Sequence, residues 1–160
     1  MAIQTAVSAN VEAPASSASG ATPVQQVMTG NVRTAQPEDS IQDVARMMKE
    51  AGCGFIPITQ DGRLSGVITD RDIVVRGVAV GPRETAGARV WEIMTPTVLA
   101  VSASDTLDHA AGVMAKHQVR RLPVLDQGRV VGVLSHGDLV QALRGEGAAA
   151  FATVGVTMAT

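Results

Sequence analysis

Residues 24–74 align with residues 90–140 in one ungapped register, 66 positions apart, with 14 identities in 51 pairs. Chance similarity at this composition gives roughly four. The matched positions include Met28/Met94, Thr29/Thr95, Asp39/Asp105, Met48/Met114, Pro57/Pro123, Gly62/Gly128, Gly66/Gly132, Asp72/Asp138 and Val74/Val140. A chain with this duplication must fold as one unit built twice. That excludes most single-core architectures of 160 residues.

Each copy has the same order of elements. A short extended piece follows Met-Thr, at Val32 to Ala35 and at Val98 to Val101. Asp39-Ser40 and Asp105-Thr106 supply helix N-caps. Ile41, Val44, Ala45 and Met48 then fall on one helical face, as do Leu107, Ala110, Ala111 and Met114. Two strands follow in each copy, Phe55 to Thr59 and Leu64 to Ile68, then Arg121 to Leu125 and Val130 to Leu134. They are joined by turns at Asp61-Gly62 and Gln127-Gly128. A closing helix carries Ile73, Val74 and Gly77, or Leu139, Val140 and Leu143. The fold class is therefore α/β, two β-α-β-β-α repeats. A copy of this size buries only about 60% of its unfolded surface alone, so the repeats are expected to pack together with pseudo-twofold symmetry.

The copies span 24–80 and 90–146, joined by an aperiodic Gly/Pro linker at 81–89. Residues 1–23 are Ala/Ser-rich, hold no Lys or Arg and lack helical periodicity, which predicts a disordered arm rather than a signal peptide. The tail 147–160 has no clear assignment. No apolar run reaches the ~18 residues of a membrane span, so the cytoplasm is the expected compartment. The net charge of −2 argues against nucleic acid or anionic membrane as partners. One cysteine, Cys53, rules out an internal disulfide and a multi-cysteine zinc site. With no histidine near it in sequence, Cys53 is expected to be a buried, inert thiol. His109, His117 and His136 lack metal-ligand spacing, and no nucleophile–base set, P-loop or Gly-x-Gly-x-x-Gly is present. Neither a catalytic set nor a metal site is expected.

Two patterns could carry chemistry. Gly66-x-x-Thr69-x-x-Asp72 and Gly132-x-x-Ser135-x-x-Asp138 stand at matched strand-to-helix junctions. The glycine lets another group approach the backbone. The carboxylate can accept from vicinal ribose hydroxyls, and the hydroxyl and helix start suit phosphate oxygens. The same spacing is also that of a capping box, and the pattern alone does not choose. The second is Arg120-Arg121, directly before a strand. It is either a solvated strand end or a bidentate anion clamp. Its counterpart in the first copy is Gly54-Phe55.

Taken together, the duplicated Met-Thr, the Pro-hydrophobe strand, the turn glycine, "TDRDIV" at 69–74 and "HQVRRLPV" at 117–124 resemble a tandem pair of cystathionine-β-synthase (CBS) domains, a Bateman module. They are similar to small bacterial stand-alone CBS-pair proteins. The resemblance implies a non-enzymatic regulatory sensor with no obligatory cofactor, whose ligand is an adenosine-containing molecule: AMP, ADP, ATP, S-adenosylmethionine or NAD. It also implies a homodimer and a further, unidentified regulated protein. Carried over residue by residue, Asp72 and Asp138 would hold ribose, and Thr69 and Ser135 ribose or phosphate. Val32, Ile56, Val98 and Leu122 would wall the adenine, with Thr34 also lining the site. The family pattern crosses the repeats, pairing Thr69/Asp72 with Arg120/Arg121 and Ser135/Asp138 with Gly54/Phe55. With Arg71 on its own helix start, the first cleft would then be the stronger phosphate site. The alternative functions are an interaction module that binds no nucleotide, and an enzyme using Cys53 or a histidine.

Overall fold

The computed structural model describes residues 10–11, 22–81, 87–96 and 98–145. Its strands are β1 (Asn10–Val11), β2 (Thr29–Gly30), β3 (Phe55–Gln60), β4 (Arg63–Thr69), β5 (Leu99–Ser102), β6 (Arg121–Asp126) and β7 (Arg129–Ser135). Its helices are α1 (Ile41–Ala51), α2 (Asp70–Asp72), α3 (Val90–Ile93), α4 (Leu107–His117) and α5 (His136–Gly145). β3 and β4 pair antiparallel, and the other strands run β1-β5-β6-β7-β2 in one sheet. The α/β class and the doubled element order agree with the sequence reading.

Local chemistry accounts for these elements. Ser40 Oγ accepts from Asp43 N at 3.1 Å and caps α1, and Thr106 Oγ1 accepts from His109 N at 3.2 Å and caps α4. Ile41, Val44 and Met48 are buried on one face of α1, as are Leu107, Ala110, Val113 and Met114 on α4. The two-residue turns Asp61-Gly62 and Gln127-Gly128 all have positive φ, the hairpin geometry that matches strand twist.

The chain forms two compact units, and they are not the two sequence copies. One unit holds Asn31–Leu99 with Gln127–Val130; the other holds Val11–Gly30, Ala100–Asp126 and the residues from Val131 on. Each unit therefore takes its opening segment from the other copy. In the first, Val67 and Thr95 form an antiparallel bridge, Ile41 N donates to Ala88 O, and Val90 N donates to Asp39 O. In the second, β2 pairs antiparallel with β7 through Thr29↔Val133, Leu107 N donates to Thr22 O, and Val24 N donates to Asp105 O. Ala35 bridges Ile58 in parallel, as Val101 pairs Val124 in β5 and β6.

Three expectations need correction. The predicted disordered arm includes ordered residues: Asn10–Val11 forms a strand, and Pro23 bridges Thr106. The rest of 1–21, and the tail from 146, lie outside the described residues. The closing helix of the first copy is one α-turn, followed by a π-turn over Ile73–Gly77 and a 3-10 turn over Val78–Val80. Its run of β-branched Ile73, Val74 and Val75 is stiff against a regular helix. Gly77 also sits so close to Ile41 that a Cβ there would lie 3.1 Å from Cδ1. Finally, Cys53 is exposed, in the turn after the left-handed Gly52 cap of α1, with Sγ 3.7 Å from Phe55 O.

Candidate functional site

The junction of β4 with α2 is a complete capping box. Thr69 N and Thr69 Oγ1 donate to Asp72 Oδ2 at 3.0 and 2.6 Å, and Asp72 N donates back to Thr69 Oγ1 at 3.1 Å. The junction of β7 with α5 repeats it. Ser135 N and Oγ donate to Asp138 Oδ2 at 2.8 and 2.7 Å, and Asp138 N donates to Ser135 Oγ at 3.2 Å. Both carboxylates are thus held in one rotamer by their own helix starts. Each spends Oδ2 on the cap, and a carboxylate has acceptor capacity beyond two hydrogen bonds. The capping reading and the ribose reading of this motif are therefore compatible.

The glycines ahead of these junctions have a structural task. A Cβ on Gly66 would lie 2.8 Å from Met94 Sδ and 3.0 Å from Thr95 O; on Gly132 it would lie 2.5 Å from Met28 Sδ and 2.8 Å from Thr29 O. The group that approaches the backbone is the chain's own Met-Thr segment.

Each junction hydrogen-bonds to the loop before the preceding strand of its own unit. Asp70 N donates to Gly54 O at 3.3 Å, and His136 N donates to Arg120 O at 2.8 Å. A Cβ at position 54 would collide with the Asp70 carboxylate. Position 136 carries an exposed histidine instead, and position 120 carries arginine. The two copies thus differ jointly at these facing positions.

Thr69, Asp72, Val32 and Phe55 are half-buried, as are Ser135 and Asp138. Thr34, Arg71, Arg120 and Arg121 are exposed. Ile56, Val98 and Leu122 are closed into the core. Thr69, Arg71, Asp72, Val32, Thr34, Phe55, Ile56 and Val98 belong to one unit, and Arg120, Arg121, Leu122, Ser135 and Asp138 to the other. The members of each crossed pair implied by the family resemblance thus fall in different units. Sequence reasoning missed Arg76. Its Nη1 lies 3.5 Å from Asp72 Oδ1 and donates to Ile93 O at 3.1 Å. The Asp72–Arg76 spacing of four residues is the available signal. Among the described residues, no cluster of three or more His, Cys, Asp or Glu is placed to hold a metal ion, and no helix is long and apolar enough to cross a membrane.

Comparisons with known proteins agree on the family. The CBS domain model matches residues 24–77 and 90–145. The CBS domain-containing protein YhcV of Bacillus subtilis (strain 168) is 39% identical over 116 residues, covering 72% of this chain and 81% of its own. The CBS-domain pair of protein MJ0100, solved with 5′-methylthioadenosine and S-adenosyl-L-methionine, superposes with a TM-score of 0.70 at 28% identity, covering 79% of this chain and 99% of that one. CBSX2, solved with AMP, gives 0.67 at 30% identity, covering 78% and 97%. With both copies matched separately and the doubled junction intact, the chain belongs to the CBS-domain family and carries two such domains in tandem.

Proposed function

We propose that this chain is a cytoplasmic regulatory module that binds an adenosine-containing ligand and acts by binding rather than by catalysis. The observation that carries this reading is the doubled junction, in which each aspartate is pre-oriented by its cap with acceptor capacity to spare. The ligands of MJ0100 and CBSX2 support the class of molecule. Asp72 and Asp138 receive the ribose hydroxyls, with Thr69 and Ser135 beside them. Val32, Ile56, Val98 and Leu122 are the apolar residues the family resemblance implies for the base, with Thr34 and Phe55 as further candidates. Arg71, Arg120 and Arg121 are the phosphate contacts. The regulated protein reads the change that ligand makes.

The competing reading is an interaction module in which both aspartates are caps only, favoured by the completeness of the two capping boxes. A thermal-shift panel of adenosine, AMP, ADP, ATP, S-adenosylmethionine and NAD separates them. A ligand at 100 times its Kd stabilises the folded state by about 2.7 kcal/mol. A chain of this size then melts roughly 5–10 °C higher. If no ligand of the panel moves the melting curve, the interaction module is the better account.

The module is proposed to act as a homodimer. Ile73 packs against the core of its own unit, and Leu139 is buried. Val74, Val75, Val78 and Val80 are each more than half exposed, and so is Trp91 on α3, which packs against the same segment. Isolated exposed apolar residues are ordinary, but a run of this kind marks an interface. The occupant we assign to this run is a second copy of the chain, because a twofold dimer is the commonest closed assembly. Light scattering at tens of micromolar is expected to give twice 16.5 kDa, and Val74→Asp with Trp91→Glu to give the monomer. A wild-type mass of one chain overturns the dimer.

A further inference from the structure

Arg76 breaks the equivalence of the two junctions. The capping boxes are alike, each consuming Oδ2 of its aspartate. At the first junction Oδ1 of Asp72 also faces a guanidinium, 3.5 Å away, which is anchored on the main chain by its bond to Ile93 O. The position 66 residues on from Arg76 is Ala142, which has no charge to offer. Among the described residues, no basic side chain forms an ion pair with Asp138. The half-buried Asp72 has 15% side-chain exposure, so its charge is screened less than that of a fully exposed carboxylate.

We infer that Arg76 is a specificity-determining residue, which makes the first junction select a phosphorylated nucleoside over the unphosphorylated one. This rests on the ribose reading of Asp72. Ribose hydroxyls that donate to Oδ1 displace Arg76 from the carboxylate. An uncharged nucleoside gives the displaced guanidinium nothing in return except Ile93 O and water. A nucleotide supplies a new anion, and arginine binds phosphate through parallel charge-assisted hydrogen bonds. The exchange of carboxylate for phosphate then costs little. At Asp138 no pair has to be broken, and Ala142 rewards no phosphate. Position 76 therefore adds to whatever preference for AMP over adenosine the other phosphate contacts give, and position 142 adds nothing.

The test uses the full chain and calorimetry with AMP and adenosine as probes. In an Asp138→Asn background, which silences the second junction, AMP is expected to bind at least tenfold more tightly than adenosine. Adding Arg76→Met weakens AMP about tenfold and leaves adenosine unchanged or tighter, so the ratio falls at least tenfold. In an Asp72→Asn background, Ala142→Arg raises the AMP-to-adenosine ratio at the second junction. This converse variant carries the test if Arg76→Met does not fold. An unchanged ratio in Arg76→Met, with binding intact and sensitive to Asp72→Asn, overturns the role of Arg76 and leaves the ribose reading standing. A wild type that binds neither probe, or a double Asp72→Asn, Asp138→Asn variant that binds both as the wild type does, overturns the ribose reading and the role of Arg76 with it.

Discussion

Gly132→Ala is expected to destabilise the protein by about 3 kcal/mol, the upper end of the usual cost of overpacking a tight site. The added methyl would stand 2.5 Å from Met28 Sδ and 2.8 Å from Thr29 O. The thioether can swing away, but the carbonyl belongs to a strand paired with β7 through Thr29↔Val133 and Gly30↔Gly132, so it moves only if that pairing opens. For a chain of this length the melting temperature should fall by roughly 6–12 °C. Gly66→Ala, whose neighbours are a few tenths of an ångström farther off, should cost less. Gly30→Ala is the control. It has nothing within 4 Å of its added methyl and should stay within about 0.5 kcal/mol of wild type. Thermal denaturation followed by far-UV circular dichroism reads all three. Equal melting points for Gly30→Ala and Gly132→Ala would show that the Met28-Thr29 segment is not tightly seated.

The second large effect is on ligand affinity. Combined Asp72→Ala and Asp138→Ala should weaken AMP by roughly 10- to 150-fold at each junction, since a hydrogen bond to a charged group contributes about 1.5–3 kcal/mol. Part of any loss could come through the fold, because each carboxylate also caps its helix and a lost cap costs about 1 kcal/mol. Asp72→Asn and Asp138→Asn separate the two contributions. An amide oxygen can still accept from Thr69 N or Ser135 N, so the melting point should nearly recover. The charge that draws the ribose hydroxyls is gone, so affinity should not. If calorimetry gives full AMP affinity for the asparagine pair, the carboxylates are caps and nothing more.

Much of this was legible in the sequence because the duplication doubled every signal. The capping residues Ser40 and Thr106, the α1 and α4 faces and both hairpin turns could be read by local rules, each checked against its copy. The Thr69/Asp72 and Ser135/Asp138 junctions were legible for the same reason. What was hidden depends on which segments meet. Gly66 and Gly132 read as places where some group approaches the backbone, but that the group is Met94-Thr95 or Met28-Thr29 is a pairing between distant stretches that no local pattern encodes. Arg76 escaped notice because reasoning from the repeat favours positions that match, and its partner position is Ala142. Cys53 was misjudged because residue type predicts average burial, while the turn after Gly52 decided the actual exposure.

The exchange of opening segments also bears on how the chain is made. A ribosome that has released only the first copy has delivered Thr69 and Asp72 but not Ala88–Thr95, the piece that closes their unit. The second unit needs residues 22–30, synthesised ahead of the rest of it, to wait for Ala103–Val133 before their long-range partners exist. Neither half can finish in isolation, and contacts that span most of a chain form slowly because their loops are long. Folding is therefore expected to be post-translational and nearly all-or-none. The same feature guards against partial products: a chain cut within 82–86 loses the complement of both units at once, leaving two fragments that can regain order only by finding each other.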